Sequence, residues 1–285
     1  MNPMAPSKLA VQATSPTSGL KGQVVVVTGA AQGLGLAVAQ AAAYAGAATV
    51  VLVDRDVTKG RAAAAKLSSN PALTARPFEA IFLECDLAFP DAISRLVQEI
   101  DSRYGQIDAL VNAAGDTRRG GLDDTSVELW DSLIAVNLRA PFLLTQAVSS
   151  VMVRNGRGGS IVNVASVQAR GGLTFCMAYA TAKGGLLTLT KNNAAALGRH
   201  GIKVNAINMG WCSTENEHLL QVRQCGDENW LLAADKVSYL GRICRPEDVA
   251  RAVLFLITDA HATGSVLELH PEHIEGLLGG GIGKA

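Results

Sequence analysis

The stretch Thr28-Gly29-Ala30-Ala31-Gln32-Gly33-Leu34-Gly35 decides the fold. A β-branched run over 24–27 precedes it, a small-residue helical pattern over 34–45 follows, and Gly46 is placed to stop that helix. Glycines in such a strand–turn–helix allow a tight bend and let backbone N–H groups approach an anion at the positive end of the helix. A second apolar strand over 49–53 ends on Asp54, 19 residues after Gly35. A carboxylate there accepts hydrogen bonds from both hydroxyls of an adenosine ribose and repels a 2′-phosphate. Strand, turn, helix, strand and acid in this order describe a dinucleotide site that prefers NAD. Arg55 beside the acid keeps NADP in view.

Outward from this unit, short apolar runs over 80–83, 109–111, 160–164, 203–207 and 266–269 read as strands. Helical patterns near 92–103, 128–152, 178–199 and 246–256 lie between them. The runs lack polar alternation, so both faces of the sheet are covered, and the strand–helix rhythm implies parallel crossovers. The expected class is α/β: a doubly wound parallel sheet (Rossmann fold) of about seven strands with helices on both faces. No internal repeat or low-complexity linker splits the chain, so residues 22–285 are expected to form a single catalytic domain. Residues 1–21, rich in Pro, Ser, Thr and Ala, are expected to be a mobile lead-in without the apolar core of a secretory signal. Residues 209–245 break the rhythm. A connection of that length in a compact domain is expected to be a substrate loop over the carboxyl ends of the strands.

Composition excludes several function classes. With 25 basic and 25 acidic residues, the chain has no one-sign field to draw in nucleic acid or an anionic membrane. Its apolar runs stop well short of the ~20 residues of a membrane span. Five cysteines with no Cys-x-x-Cys pair suit thiols in a reducing compartment, here the cytoplasm.

Tyr179 and Lys183 are four residues apart in a helical segment and so share a face. A phenol titrating near ~10 is a poor base at neutral pH, and a nearby ammonium favours its ionised form. The pair therefore reads as a proton acceptor for an alcohol, or a donor to a carbonyl in reverse. Thr-Gly-x-x-x-Gly-x-Gly, Tyr-x-x-x-Lys and Ser166, at a strand end 13 residues before the tyrosine, resemble the short-chain dehydrogenase/reductase family over about residues 21–269.

The resemblance implies that Ser166 holds the substrate oxygen against Tyr179. Lys183 would bind the nicotinamide ribose and tune Tyr179, and Asn137 would complete a water-borne proton relay. It further implies cofactor contacts from Gly29, Gln32, Gly33, Leu34 and Gly35, from Asp54, from Asp86 and Leu87 near the adenine, and from Asn112 and Gly115 along the middle. Tyr179 and Lys183 add to these, with Gly210 and Thr214 near the carboxamide. A homotetramer, or a homodimer, is implied with the helices over 128–152 and 178–199 at the interface.

Three positions depart from the family pattern. Ala113 stands where a second asparagine is usual, Met209 where a proline precedes Gly210, and the end of the chain lacks the usual Asp-Gly-Gly-like turn. Near that end, His270 and His273 flank Pro271, which argues against a helical metal pair, and no metal is expected. Gln168, Phe175, Trp211 and Glu215 are expected to meet the substrate. The mixed polarity of the walls favours a small sugar, polyol or cyclic alcohol over a long acyl chain. The expected function is NAD-dependent oxidation of such a secondary alcohol. The alternatives are an NADP(H)-dependent ketone or 3-oxoacyl reductase, and a non-catalytic NAD-binding regulatory protein.

Overall fold

A computed structural model describes residues 19–269, with the side chain of Cys225 left out. The chain opens with β1 (Val24–Thr28), α1 (Gly33–Tyr44), β2 (Thr49–Asp54), α2 (Val57–Ser68) and the short α3 (Pro71–Thr74). It continues with β3 (Glu79–Glu84), α4 (Pro90–Tyr104), β4 (Ala109–Asn112), α5 (Val127–Ile134) and α6 (Ala140–Asn155). The second half holds β5 (Gly159–Val164), α7 (Met177–Leu197), β6 (Ile202–Met209), α8 (Glu215–Cys225), α9 (Trp230–Val237), α10 (Pro246–Thr258) and β7 (Val266–Leu269).

The seven strands form one parallel sheet in the order β3-β2-β1-β4-β5-β6-β7. Strand order reverses between β1 and β4, so the loops after these two strands diverge and open a crevice at their carboxyl ends. Two apolar layers explain why the strands read as continuous runs. Val25, Val27, Val50 and Leu52 pack on one face against α1 and α10, while Val24, Val26, Val51 and Val53 pack on the other with α4 and α6 residues. The expected sheet is therefore present, strand for strand. Among the described residues, no helix is long and apolar enough to cross a membrane.

Three expectations need correction. Residues 19–21 belong to the folded body: Leu20 is fully buried, its N–H donates to the Ala45 carbonyl, and Lys21 pairs with Ala47. The lead-in expected before them falls outside the described residues, as do His270 and His273. The helix expected over 128–152 is interrupted by a π-helical turn at Ala135–Arg139, which divides it into α5 and α6. The 209–245 connection carries α8 and α9, with Trp230 buried between the two against Trp211 and Ile243.

Candidate active site

The turn after β1 shows why small residues stand there. Gly29 and Gly33 have left-handed φ values of 67° and 56°. A side chain on Gly29 would lie 2.7 Å from the Ala114 backbone, and one on Gly35 would lie 2.2 Å from the Gly29 carbonyl oxygen. The Thr28 hydroxyl ties this turn to the switch point by accepting from the Ala113 and Ala114 N–H groups, both at 3.1 Å. At the start of α1, Gln32 makes no side-chain cap and the first turn holds no acidic residue. The helix dipole and its unpaired N–H groups are thus left for an external anion.

The other cofactor residues have mixed fates. Asp54 is fixed beside the turn, accepting from Ala31 N at 3.1 Å and Asp56 N at 3.0 Å. Gln32 uses its side chain elsewhere: Lys59 Nζ donates to its Oε1 at 2.5 Å, and its Nε2 donates to Asn216 Oδ1 at 3.0 Å. This bridge joins α2, the glycine turn and α8. Leu34 packs partly into the core, Leu87 is buried in it, and Asp86 accepts from Ala88 N at 2.9 Å. Asn112 has a structural partner of its own. Its amide donates to Asn163 Oδ1 at 2.8 Å, and Asn163 in turn donates to Thr190, a buried polar tie between β4, β5 and α7. Gly115 does face the site, since a Cβ there would lie 3.3 Å from Asn137 Oδ1 and 3.9 Å from Lys183 Nζ. Gly210 is held by its N–H to the Leu269 carbonyl, and Thr214 stands 3.6 Å from the position a Gly33 Cβ would take.

The reacting group assembles where β5, α7 and the π turn meet. Ser166, buried after β5, accepts from Gln168 N at 3.3 Å, which opens a short helical turn. Tyr179 and Lys183 occupy the first two turns of α7. Lys183 is 4% exposed, donates to the Val164 carbonyl at 2.8 Å, and places Nζ 5.7 Å from the Tyr179 ring centroid. Loss of hydration pulls its pKa down to about 8. Tyr179 moves opposite to the expectation from its lysine neighbour. Desolvation pushes its hydroxyl up to about 12, Ser166 within hydrogen-bonding reach lowers it, and Cys176 and then Glu217 raise it electrostatically.

Asn137 sits at the middle of the π turn, fully buried. Its amide donates to the carbonyls of Asp116 at 2.9 Å and Leu133 at 3.0 Å, and its oxygen accepts from Asp116 N at 3.2 Å. The wider turn frees the Leu133 carbonyl for this side chain, which anchors the loop beside Gly115.

Of the expected substrate residues, Gln168 lies two residues after Ser166 in the turn, and Phe175 lies 5.2 Å beneath the Arg119 guanidinium. Trp211 is half-buried and stacks on Trp230 at 5.3 Å. Glu215 is exposed and carries no hydrogen bond or ion pair. Glu217, also expected among the polar groups of the pocket walls, is half-buried and accepts from Trp211 Nε1 at 2.7 Å. Thr28 was legible only as part of the motif. Among the described residues, no group of His, Cys, Asp and Glu is arranged to hold a metal.

The motif turn, the sheet order and the Ser166–Tyr179–Lys183 group together agree with the comparisons. Residues 23–223 match the family described as short chain dehydrogenase. This chain belongs to the short-chain dehydrogenase/reductase family. It is 36% identical to D-threitol dehydrogenase of Mycolicibacterium smegmatis, covering 85% of this chain and 88% of that protein. It is 32% identical to galactitol 2-dehydrogenase of Agrobacterium fabrum, covering 83% and 91%. The crystal structure of L-sorbose reductase from Gluconobacter frateurii, complexed with NADPH and L-sorbose, superposes with a TM-score of 0.83 at 26% identity, covering 92% and 100%. The chain is an oxidoreductase of this family, built to use a nicotinamide dinucleotide.

Proposed function

We propose that this enzyme oxidises a secondary hydroxyl of a small polyol or sugar with NAD, using Tyr179 as the base. The observation that carries the reading is the convergence of Ser166, Tyr179 and Lys183 beside Gly115, opposite an α1 N-terminus that no side chain caps. The glycine turn, Asp54 and Lys183 are the residues that would hold the dinucleotide, and their donor and acceptor chemistry fits it. Bound NAD supplies the hydride acceptor. Ser166 would hydrogen-bond the substrate oxygen, and Tyr179 would take its proton in the phenolate form, which the positive charge of a bound oxidised nicotinamide would favour against the burial described above. Lys183 would bind the ribose hydroxyls, and Asn137 orders the loop and turn through which a proton could pass outward. Gly210 and Thr214 would lie toward the carboxamide end of the dinucleotide. The preference for NAD rests on Asp54, whose carboxylate has lone pairs left for ribose hydroxyls after its two backbone bonds. The polyol preference rests on the polarity of the pocket walls and on the names of the relatives.

A second reading is NADP-dependent reduction of a ketone. The NADPH complex of the sorbose reductase and the presence of Arg55 favour it. The two separate cleanly. Initial rates with NAD and NADP over a panel of polyols and their ketoses, for wild type and Asp54→Ala, should show NAD preferred in wild type and the preference reduced in the variant. NADPH-driven reduction that Asp54→Ala leaves untouched supports the second reading. We further place the enzyme in the cytoplasm, since Cys85, Cys176 and Cys212 are buried thiols among the described residues. We expect it to act as a homotetramer with α5, α6 and α7 at the interface.

A further inference from the structure

Ser166 owes its place to a turn that is held from two sides. Its Oγ caps the turn by accepting from Gln168 N, and its carbonyl accepts from Ala169 N at 2.8 Å. On one side the turn rests on the backbone of α7. The Ala169 carbonyl oxygen lies 3.2 Å from the position a Gly184 Cβ would take, and Gly184 follows Lys183 in the chain. On the other side Arg170, the last residue of the turn, forms an ion pair with Glu268 on β7, Nη2 to Oε2 at 2.7 Å. Glu268 is not free to follow the arginine. Asn208, beside it on β6, donates from Nδ2 to both of its oxygens, at 3.1 Å and 2.9 Å.

An ion pair between side chains that are 43% and 40% exposed contributes little by itself. The amide behind it changes the argument. Asn208 is buried, and its Oδ1 has no hydrogen-bond partner among the described residues. A carboxylate accepts and cannot donate, so the amide has to present Nδ2 to Glu268 and leave Oδ1 without a donor. A buried orphan oxygen is destabilising. The fold tolerates it at the one place where the amide fixes a carboxylate on the arginine that ends the Ser166 turn. We propose that Glu268 is a positioning residue that acts through Arg170 to hold the Ser166 hydroxyl within reach of Tyr179. This inference rests on the reading of Ser166 and Tyr179 given above and deepens it. It gives β7, the edge strand, a part in the chemistry.

The test measures kcat and KM for D-threitol, or for the first alcohol of a wider panel that wild type oxidises. The proteins are wild type, Arg170→Met, Arg170→Lys, Glu268→Gln and the double variant Arg170→Met/Glu268→Gln. NADH binding is followed by fluorescence to show that each variant keeps its cofactor site. A small displacement of the serine hydroxyl should lower kcat roughly 10-fold in Arg170→Met and in Glu268→Gln, with NADH affinity unchanged. The double variant should lose no more than Arg170→Met alone, because both changes remove the same contact. Arg170→Lys should recover part of the loss. Ser166 favours the ionised form of Tyr179, so the rising limb of kcat/KM against pH should move to higher pH in Arg170→Met. A kcat and a pH limb equal to wild type in Arg170→Met overturn the inference and leave the reading of the reacting group standing. Losses that multiply in the double variant, or loss of NADH binding, assign the two residues separate structural roles and also overturn it. A wild type that oxidises no alcohol of the panel, or Tyr179→Phe as active as wild type, removes the reading of the reacting group, and the inference falls with it.

Discussion

Lys183 is a buried ammonium that the fold tolerates for its chemistry. Its pKa, lowered to about 8 by burial, corresponds to a cost on the order of 3 kcal/mol at ~1.4 kcal/mol per tenfold change in protonation. Replacing it with methionine removes that cost but orphans the Val164 carbonyl, which costs ~1–3 kcal/mol. Lys183→Met is therefore expected to melt no lower than wild type while losing nearly all turnover. The sign of the pH dependence follows. The folded lysine binds its proton less tightly than the unfolded one, so its penalty is complete below about pH 8 and gone above the unfolded value of 10.5. The stability gap between Lys183→Met and wild type, from urea titrations, should narrow toward lower relative stability of the variant as pH rises through that window. A gap that does not change with pH would contradict the assignment. At this scale the Tyr-x-x-x-Lys spacing and Ser166 were legible, because helical and strand-end geometry depend on local sequence. The pKa of Tyr179 was not, because it depends on how much water the closed structure leaves around the hydroxyl. The bond from Trp211 to Glu217 was not legible for a related reason: Trp211 lies in the segment before α8, and only the tertiary turn brings the indole to the carboxylate.

At the scale of elements, the strands were legible because β-branched residues buried on both faces leave an unbroken apolar run. The missed helices buried too little apolar side chain to show a stripe. α2 buries Gly60, Ala63, Ala64 and Leu67, and α8 has no buried hydrophobic residue among those described. The π turn was invisible because its residues remain helical in pattern while one hydrogen bond changes register. Its content is testable. Asn137→Ala leaves the Asp116 N–H and the Leu133 and Asp116 carbonyls without their partner, and should cost about 2–3 kcal/mol in urea unfolding. Stability equal to wild type would show that the amide is dispensable to the fold. At the glycine turn, Gly35→Ala would push a methyl into the Gly29 carbonyl. NADH affinity measured by calorimetry should fall at least ~10-fold as the turn and the α1 N-terminus separate.

On the scale of the whole molecule, the reversal of strand order sets the site. The loops after β1 and β4 part there, and the end of β5 and the start of α7 deliver Ser166, Tyr179 and Lys183 from the other half of the chain. The surface carries a second message. Val127, Trp130, Phe142 and Val153 on α5 and α6 are exposed apolar groups, a pattern expected of an assembly face. Light scattering should give a tetramer, and Phe142→Asp should shift it to smaller species. A monomeric wild type would contradict that assignment. The central claim is that Tyr179 is the proton acceptor of an NAD-linked alcohol oxidation, and one measurement tests it most directly: the rate of NAD reduction by wild type and Tyr179→Phe on the best polyol of a panel, with NADH affinity measured in both. The account predicts turnover in wild type, a fall of ~10²–10⁴-fold in Tyr179→Phe, and unchanged NADH affinity. Equal turnover in the two proteins would contradict it.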